Sequence, residues 1–195
     1  SNDLLTAYLA IELQSLAFYV LASFKKNSTY SVDAGIKYFI LGAFSSSLFL
    51  FGSSLLYGVT GTINFEEFRD LLISVSPGDI NTTFSDISFF DIGLIKFGLI
   101  FILISLLFKL AIAPFHTWAP DVYEGSPSAS TFFFAVVPKL AIFVLLLRIF
   151  YYSFFGLFES WRYFIVVSVV LSVIVGSFGG LEQRKLKSLL VYSSI

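Results

Sequence analysis

The chain has 195 residues, 57% of them hydrophobic and only 13% charged, and a mean hydropathy of +0.88 that separates it from soluble globular domains. Lys+Arg 12 against Asp+Glu 13 gives a net charge of −1 with no basic block, which excludes nucleic acid as a partner. With no cysteine, one histidine (His116) and no phosphate-cradling glycine motif, the chain is expected to hold neither a metal nor a cofactor.

Five apolar stretches are long enough to cross a bilayer core, which takes about 20 residues of helix. They cover 4–24, 34–57, 92–115, 128–152 and 163–180. Lipid offers no partner to a bare backbone group, and the stretches lack the alternation of barrel strands. The predicted fold class is therefore all-α integral membrane, a single membrane domain over 1–195. Its five spans are followed by a sixth, cut short about eight residues after Lys187. That short run and the lack of any methionine predict that the sequence is part of a longer polypeptide or a split gene product.

In chain order, the first span carries Glu12 near its middle, with Tyr8, Ser15 and Tyr19 on the same face, so the carboxylate points along a polar stripe. Lys25 and Lys26 follow it. The second span has Lys37 about three residues inside its end, where a long side chain reaches the headgroups. Gly42, Ser46 and Ser53 form a small-residue stripe read as a helix-packing surface. The second loop, 60–91, is acidic (Glu66, Glu67, Asp70, Asp79, Asp86, Asp91) and external. Within it, Phe65, Phe68, Leu72 and Val75 fall at helical spacing after Asn64, with Glu67 three residues beyond. This pattern predicts a capped amphipathic helix lying on the membrane, with a plain solvated connector as the alternative.

The third span holds Ser105 and Lys109, then Pro114 and His116. Pro114 has no amide hydrogen, so it frees the carbonyl of Leu110 and predicts a helix broken near Pro114, beside the lysine. In the fourth span Pro138 directly precedes Lys139, repeating the arrangement as a second structural break, although a kink is the commoner outcome. Arg148 sits near that span's end, and Arg184, Lys185 and Lys187 follow the fifth span. An even number of crossings separates Lys25 and Lys26 from this last cluster, so both lie on one side, the matrix or cytoplasmic side by the positive-inside rule.

An ionised side chain at bilayer depth costs roughly 2.5–3.5 kcal/mol on insertion scales, so Glu12, Lys109 and Lys139 need partners or water. Two readings fit. The three groups form buried ion pairs that only fix helix packing, or they trade protons, since an amine's charge state depends on the carboxylate beside it. In the second reading a shift of Glu12 loads or releases Lys109, with Lys139 and His116 passing the proton onward through water.

Three stretches, YLAIELQSLAFYVLASFKKNS, AGIKYFILGAFSSSLFLFGSSLLYG and FKLAIAPFHTWAPDVYEGSPS with PKLAIF following, resemble a known family. It is the family of subunit 2 of mitochondrial NADH:ubiquinone oxidoreductase, respiratory complex I, and its bacterial counterpart subunit N. The terminal QRKLKSLLVYSSI fits as well, and PFHTWAPDVYEG is the most specific piece. The resemblance implies an antiporter-like module, related to Mrp cation/proton antiporters, in which a carboxylate and lysines on successive helices form a hydrophilic axis through the membrane. By matching motifs, Glu12 is the carboxylate paired with the broken-helix lysine, Lys109 is that lysine, Lys139 is the next relay lysine, and Lys37 and His116 assist. A further lysine of the family, on a later helix, lies outside this sequence.

The implied function is proton translocation in the membrane arm. The redox cofactors of the complex (NADH, FMN, iron–sulfur clusters and ubiquinone) are held elsewhere. The implied partners are other membrane-arm subunits, lipids and a companion polypeptide or further segments. The implied location is the mitochondrial inner membrane, with a bacterial plasma membrane as the alternative. A monovalent cation/proton antiporter subunit and a purely structural arm segment are the competing readings.

Overall fold

The computed structural model describes residues 1–74 and 89–195. The described residues form helices α1 (Leu4–Ala22), α2 (Thr29–Thr60), α3 (Phe65–Ser74), α4 (Phe89–Leu110), α5 (Trp118–Gly125), α6 (Ser128–Leu147), α7 (Phe158–Leu181) and α8 (Leu186–Ser194). A π-helical turn, Arg148–Ser153, and a 3-10 turn, Phe155–Leu157, join α6 to α7. Five helical segments are long and apolar enough to cross a membrane: Leu4–Ala22, Thr29–Thr60, Asp91–Leu110, Ser128–Ser153 and Phe155–Leu181. They fall where the apolar stretches place them, and the chain is an all-α integral membrane protein.

The helix α2 organises the bundle. At 1.5 Å per residue it is about 48 Å long, and it ends where Gly61 adopts φ 70° and returns its amide to the Tyr57 carbonyl at 2.8 Å. The helix α1 runs antiparallel beside it. At one end Ser31 Oγ donates to the Ala22 carbonyl at 2.8 Å, and at the other the Leu4 amide donates to Ile63 O at 3.0 Å and the Phe65 amide to Asn2 O at 2.9 Å. The helix α4 lies against the adjacent face of α2, beside α1, across a seam of small residues. A Cβ on Gly52 would come within 2.6 Å of the Gly98 carbonyl, and one on Gly98 within 2.9 Å of the Gly52 carbonyl. Two turns further along each helix, Ser45 and Ser105 exchange hydrogen bonds in both directions: Ser45 Oγ to Ser105 O at 3.1 Å, Ser105 Oγ to Ser45 O at 2.7 Å.

The third crossing breaks as predicted, but earlier than the apolar stretch suggests. The helix α4 stops at Leu110 because Ala111 takes a left-handed conformation, φ 59°, a strained choice for a residue with a Cβ. Groups from elsewhere hold the break in place. Phe108 O accepts from the Ala111 amide and from Trp118 Nε1, both at 3.0 Å, and the Ala113 amide donates to Ser172 Oγ of α7 at 3.0 Å. The chain then resumes as α5, whose Gly125 closes on Ala34 and Tyr30 near the start of α2. Together α4, the turn and α5 accompany α2 along its length, with the break beside its midpoint.

Pro138 does not break α6, contrary to the expectation of a second break: the helix runs through it from Ser128 to Leu147. The proline removes the amide that would serve the Phe134 carbonyl, and Tyr123 Oη donates to that carbonyl at 3.3 Å instead. With its orphan acceptor satisfied, the helix stays whole.

The loop helix α3 forms where its spacing predicts, and Glu66 N donates to Asn64 Oδ1 at 2.9 Å as its cap. Its apolar face is turned inward: Phe65 and Phe68 are fully buried, and the Phe68 ring lies 5.0 Å from that of Phe154. This helix therefore packs its apolar face on the protein. Val75, Asp79 and Asp86 lie outside the described residues.

The two basic clusters fall at one end of the bundle. Lys25 and Lys26 follow the end of α1, and the turn between α7 and α8 is tied to the end of α5, where Lys185 pairs with Glu124 and Lys187 donates to Ser126 O at 2.7 Å. The hydrogen bond to Glu124 holds the Lys185 amine above its ordinary value of 10.5. A raised amine contributes its stability fully below the unfolded value and loses it as pH rises through the folded one. Amide exchange over residues 181–187 is thus expected to stay uniformly protected from neutrality up to pH 10.5 and to loosen above it. Lys185→Gln is expected to speed exchange at neutral pH; unchanged exchange in that variant contradicts the tie.

Candidate functional site

The antiparallel pairing of α1 with α2 brings Glu12, near the middle of one, to the height of Ser46, near the middle of the other. Glu12 Oε2 accepts a 2.5 Å hydrogen bond from Ser46 Oγ. Lys109 Nζ, in the last turn of α4, donates to the same hydroxyl at 3.1 Å and to Ser15 Oγ at 3.3 Å. Among the described residues, acid and amine meet through a serine rather than as a direct ion pair. The Ser45–Ser105 exchange one turn before Lys109 pins that end of α4 to α2. Two hydroxyl acceptors and an opposite charge two hydrogen bonds away offset the cost of keeping the amine at depth.

A cavity of about 20 Å³, space for one water, opens beside Lys109. Its lining includes Gln14, Tyr19, Gly42 and, from α6, Pro138, the residue before Lys139. Tyr19 lies over Gly42, where any Cβ would strike its ring, and its buried hydroxyl has no partner among the described residues. The packing reading of the Gly42–Ser46–Ser53 stripe thus describes Gly42 well. It misses Ser46, whose signal in the sequence is only a hydroxyl at the depth of a carboxylate on the adjacent span.

The other candidates stand apart from this cluster. Lys139 Nζ donates to Ser194 O at 3.0 Å and Ser194 Oγ at 2.9 Å, so it faces the end of α8. Lys37 is half-exposed between Asp33 at 3.3 Å and Asp121 at 3.0 Å, nearer the basic end. It lies nine residues from Ser46, about 13 Å along the helix axis. His116 sits in the turn after the break, and its Nδ1 is buried without a hydrogen-bond partner among the described residues. No group of three or more metal-ligating side chains occurs among the described residues. The residues the sequence did not single out are Ser172, which holds the broken turn, Ser194, and the Asp33–Asp121 pair.

The chain is similar in sequence and fold to known proteins. The chain is 48% identical over 193 residues to NADH-ubiquinone oxidoreductase chain 2 of Marchantia polymorpha, covering 99% of this chain and 37% of that protein. It is 44% identical over 195 residues to NADH-quinone oxidoreductase subunit N of Pelagibacter ubique, covering 100% of this chain and 38% of the relative. Among solved structures, a chain of respiratory complex I from Thermus thermophilus with bound aureothin superposes with a TM-score of 0.76 at 34% identity, covering 100% of this chain and 38% of that one. The chain therefore spans under two-fifths of the length of these relatives. The family model described as NADH:quinone oxidoreductase/Mrp antiporter, TM, matches residues 1–195. A bundle with five membrane-length apolar helices and a family match over residues 1–195 place this protein in the NADH:quinone oxidoreductase/Mrp antiporter transmembrane family.

Proposed function

We propose that this chain forms the proton-translocating core of a membrane-arm subunit of respiratory complex I, coupling electron transfer from NADH to ubiquinone with proton movement across the membrane. The observation that carries the reading is the chain Glu12–Ser46–Lys109, an acid and an amine joined by one hydroxyl at mid-height beside a broken helix. In that setting the charge on Lys109 depends on Glu12, and a change at either group moves a proton to or from the other. Lys139, which faces Ser194 rather than the cavity beside Lys109, receives the proton next by way of water beyond Pro138, where the lining of that cavity ends. Lys37 and His116 assist at the flanks of the path.

In this reading the chain contributes no redox centre. It has no cysteine to ligate an iron–sulfur cluster, and NADH, FMN, the clusters and ubiquinone act elsewhere in the complex. Its partners are the other membrane-arm subunits, the remaining helices of its own subunit and lipid, in the mitochondrial inner membrane or a bacterial plasma membrane. Monovalent cation/proton antiport is the second reading, favoured by the Mrp relationship in the family description. Following proton translocation and electron transfer together in the intact complex carrying Lys109→Ala separates these readings. Unchanged translocation rejects the relay, and translocation that depends on sodium favours antiport.

A further inference from the structure

We infer that the Ser46 hydroxyl is a proton-conducting link, through which Lys109 and Glu12 exchange a proton without touching. The inference rests on the proposed relay function and goes beyond it by naming the atom that carries the transfer. Six serines lie on α2, and five of them give their hydroxyl proton to a backbone carbonyl: Ser31 to Ala22, Ser45 to Ser105, Ser47 to Phe44, Ser53 to Leu50 and Ser54 to Phe51. Ser46 gives its proton to a carboxylate and receives one from an ammonium.

The second serine on Lys109 shows why this matters. Ser15 accepts from Lys109 at 3.3 Å, but its own proton is directed to the Ile11 carbonyl at 2.8 Å, a group that cannot take it up. Ser15 therefore anchors the amine, whereas Ser46 is hydrogen-bonded in series, donor to hydroxyl to acceptor. The link is also enclosed: Ser46 is 4% exposed, and the Ser45–Ser105 exchange holds the two helices in register beside it.

The transfer balances without any further reactant. An N–H bond of the Lys109 ammonium breaks as a new O–H bond forms on Ser46 Oγ, and the original Ser46 O–H bond breaks as its proton bonds to Glu12 Oε2. A charged pair becomes a neutral amine and a neutral carboxylic acid, and the serine is regenerated carrying a different proton. Its new proton points toward Lys109, so the hydroxyl must rotate about Cβ–Oγ before a second transfer in the same direction.

The test is made in membrane vesicles containing the intact complex, with NADH oxidation and acidification followed together in H2O and D2O. Ser46→Ala is expected to lower translocation at least about fivefold, a modest share of what loss of a positioned proton-transfer group costs, and to change the solvent isotope effect. Ser46→Thr, which keeps the hydroxyl, is expected to restore most of the rate. Ser47→Ala, whose hydroxyl serves only the Phe44 carbonyl, is expected to match the parent. If Ser46→Ala fails to assemble, Ser46→Val gives the same reading, because it has the shape of the threonine variant without the hydroxyl. Normal translocation in Ser46→Ala, with loss in Lys109→Ala, overturns the link and leaves the relay standing. Normal translocation in both overturns the relay as well. An assembled Ser46→Thr complex as defective as Ser46→Ala also overturns the link, because it makes the site a matter of fit.

Discussion

Replacing Lys109 with alanine is expected to slow proton translocation by about a hundredfold or more, the loss typical of removing a positioned proton-transfer group. The variant leaves Glu12 with its Ser46 hydrogen bond and no amine to exchange with. A structural ion pair predicts a different pattern, in which loss of Lys109 lowers the amount of assembled complex and leaves each assembled copy active. Lys109→Arg sharpens the contrast. Arginine keeps the positive charge and the capacity to donate to Ser46 and Ser15, but it does not release its proton in proteins. A packing role predicts that arginine restores function, and the relay predicts that it does not. Translocation per assembled complex, normalised to the subunit content of the membrane, decides between them.

The second large effect concerns the seam that holds the site together. Gly52→Ala is expected to destabilise the bundle by about 1–3 kcal/mol, the usual cost of overpacking. The added Cβ would meet the Gly98 carbonyl at 2.6 Å and Ile102 Cγ1 at 2.9 Å, and neither a backbone oxygen nor a fully buried isoleucine can swing away. Separation of α2 from α4 would also pull Ser46 from Lys109, so translocation is expected to fall along with stability. Gly58→Ala is the matched control, because a Cβ there meets nothing within 4 Å and relieves the entropy cost of a mid-helix glycine. The measurement is the thermal midpoint and yield of the solubilised complex. A Gly52→Ala complex as stable as Gly58→Ala contradicts the seam.

The spans and the break were legible because both depend on local chemistry. Runs of apolar side chains set the five crossings, and Pro114 marks where the third cannot continue. What sequence could not supply is which distant group satisfies a backbone left bare. Trp118 Nε1 on the Phe108 carbonyl and Ser172 on the Ala113 amide let α4 stop at Leu110. Tyr123 on the Phe134 carbonyl lets α6 pass through Pro138. The same proline rule thus gives opposite outcomes, decided by side chains that reach in from elsewhere in the chain. The inward turn of α3 has the same origin: its spacing defines an apolar face, and groups distant in sequence, such as Phe154 and Arg148, decide where that face points.

For the site, Glu12 and Lys109 stood out as charges within apolar runs, and the structure brings them onto one hydroxyl. Ser46 did not stand out because a serine costs little in a membrane helix and its neighbours suggested packing. Its role depends on the rotation of α2 relative to both α1 and α4, a relation that periodicity within a single helix does not contain. The same holds for Lys139, whose acceptors lie on α8.

The most direct test is infrared difference spectroscopy of the intact complex as electron transfer is started, following the carbonyl stretch of a protonated carboxylic acid. An acid and an amine that trade one proton through Ser46 predict a band that appears on turnover, is lost in Glu12→Gln and changes in Lys109→Ala. A spectrum without such a band, or one untouched by both substitutions, contradicts the exchange.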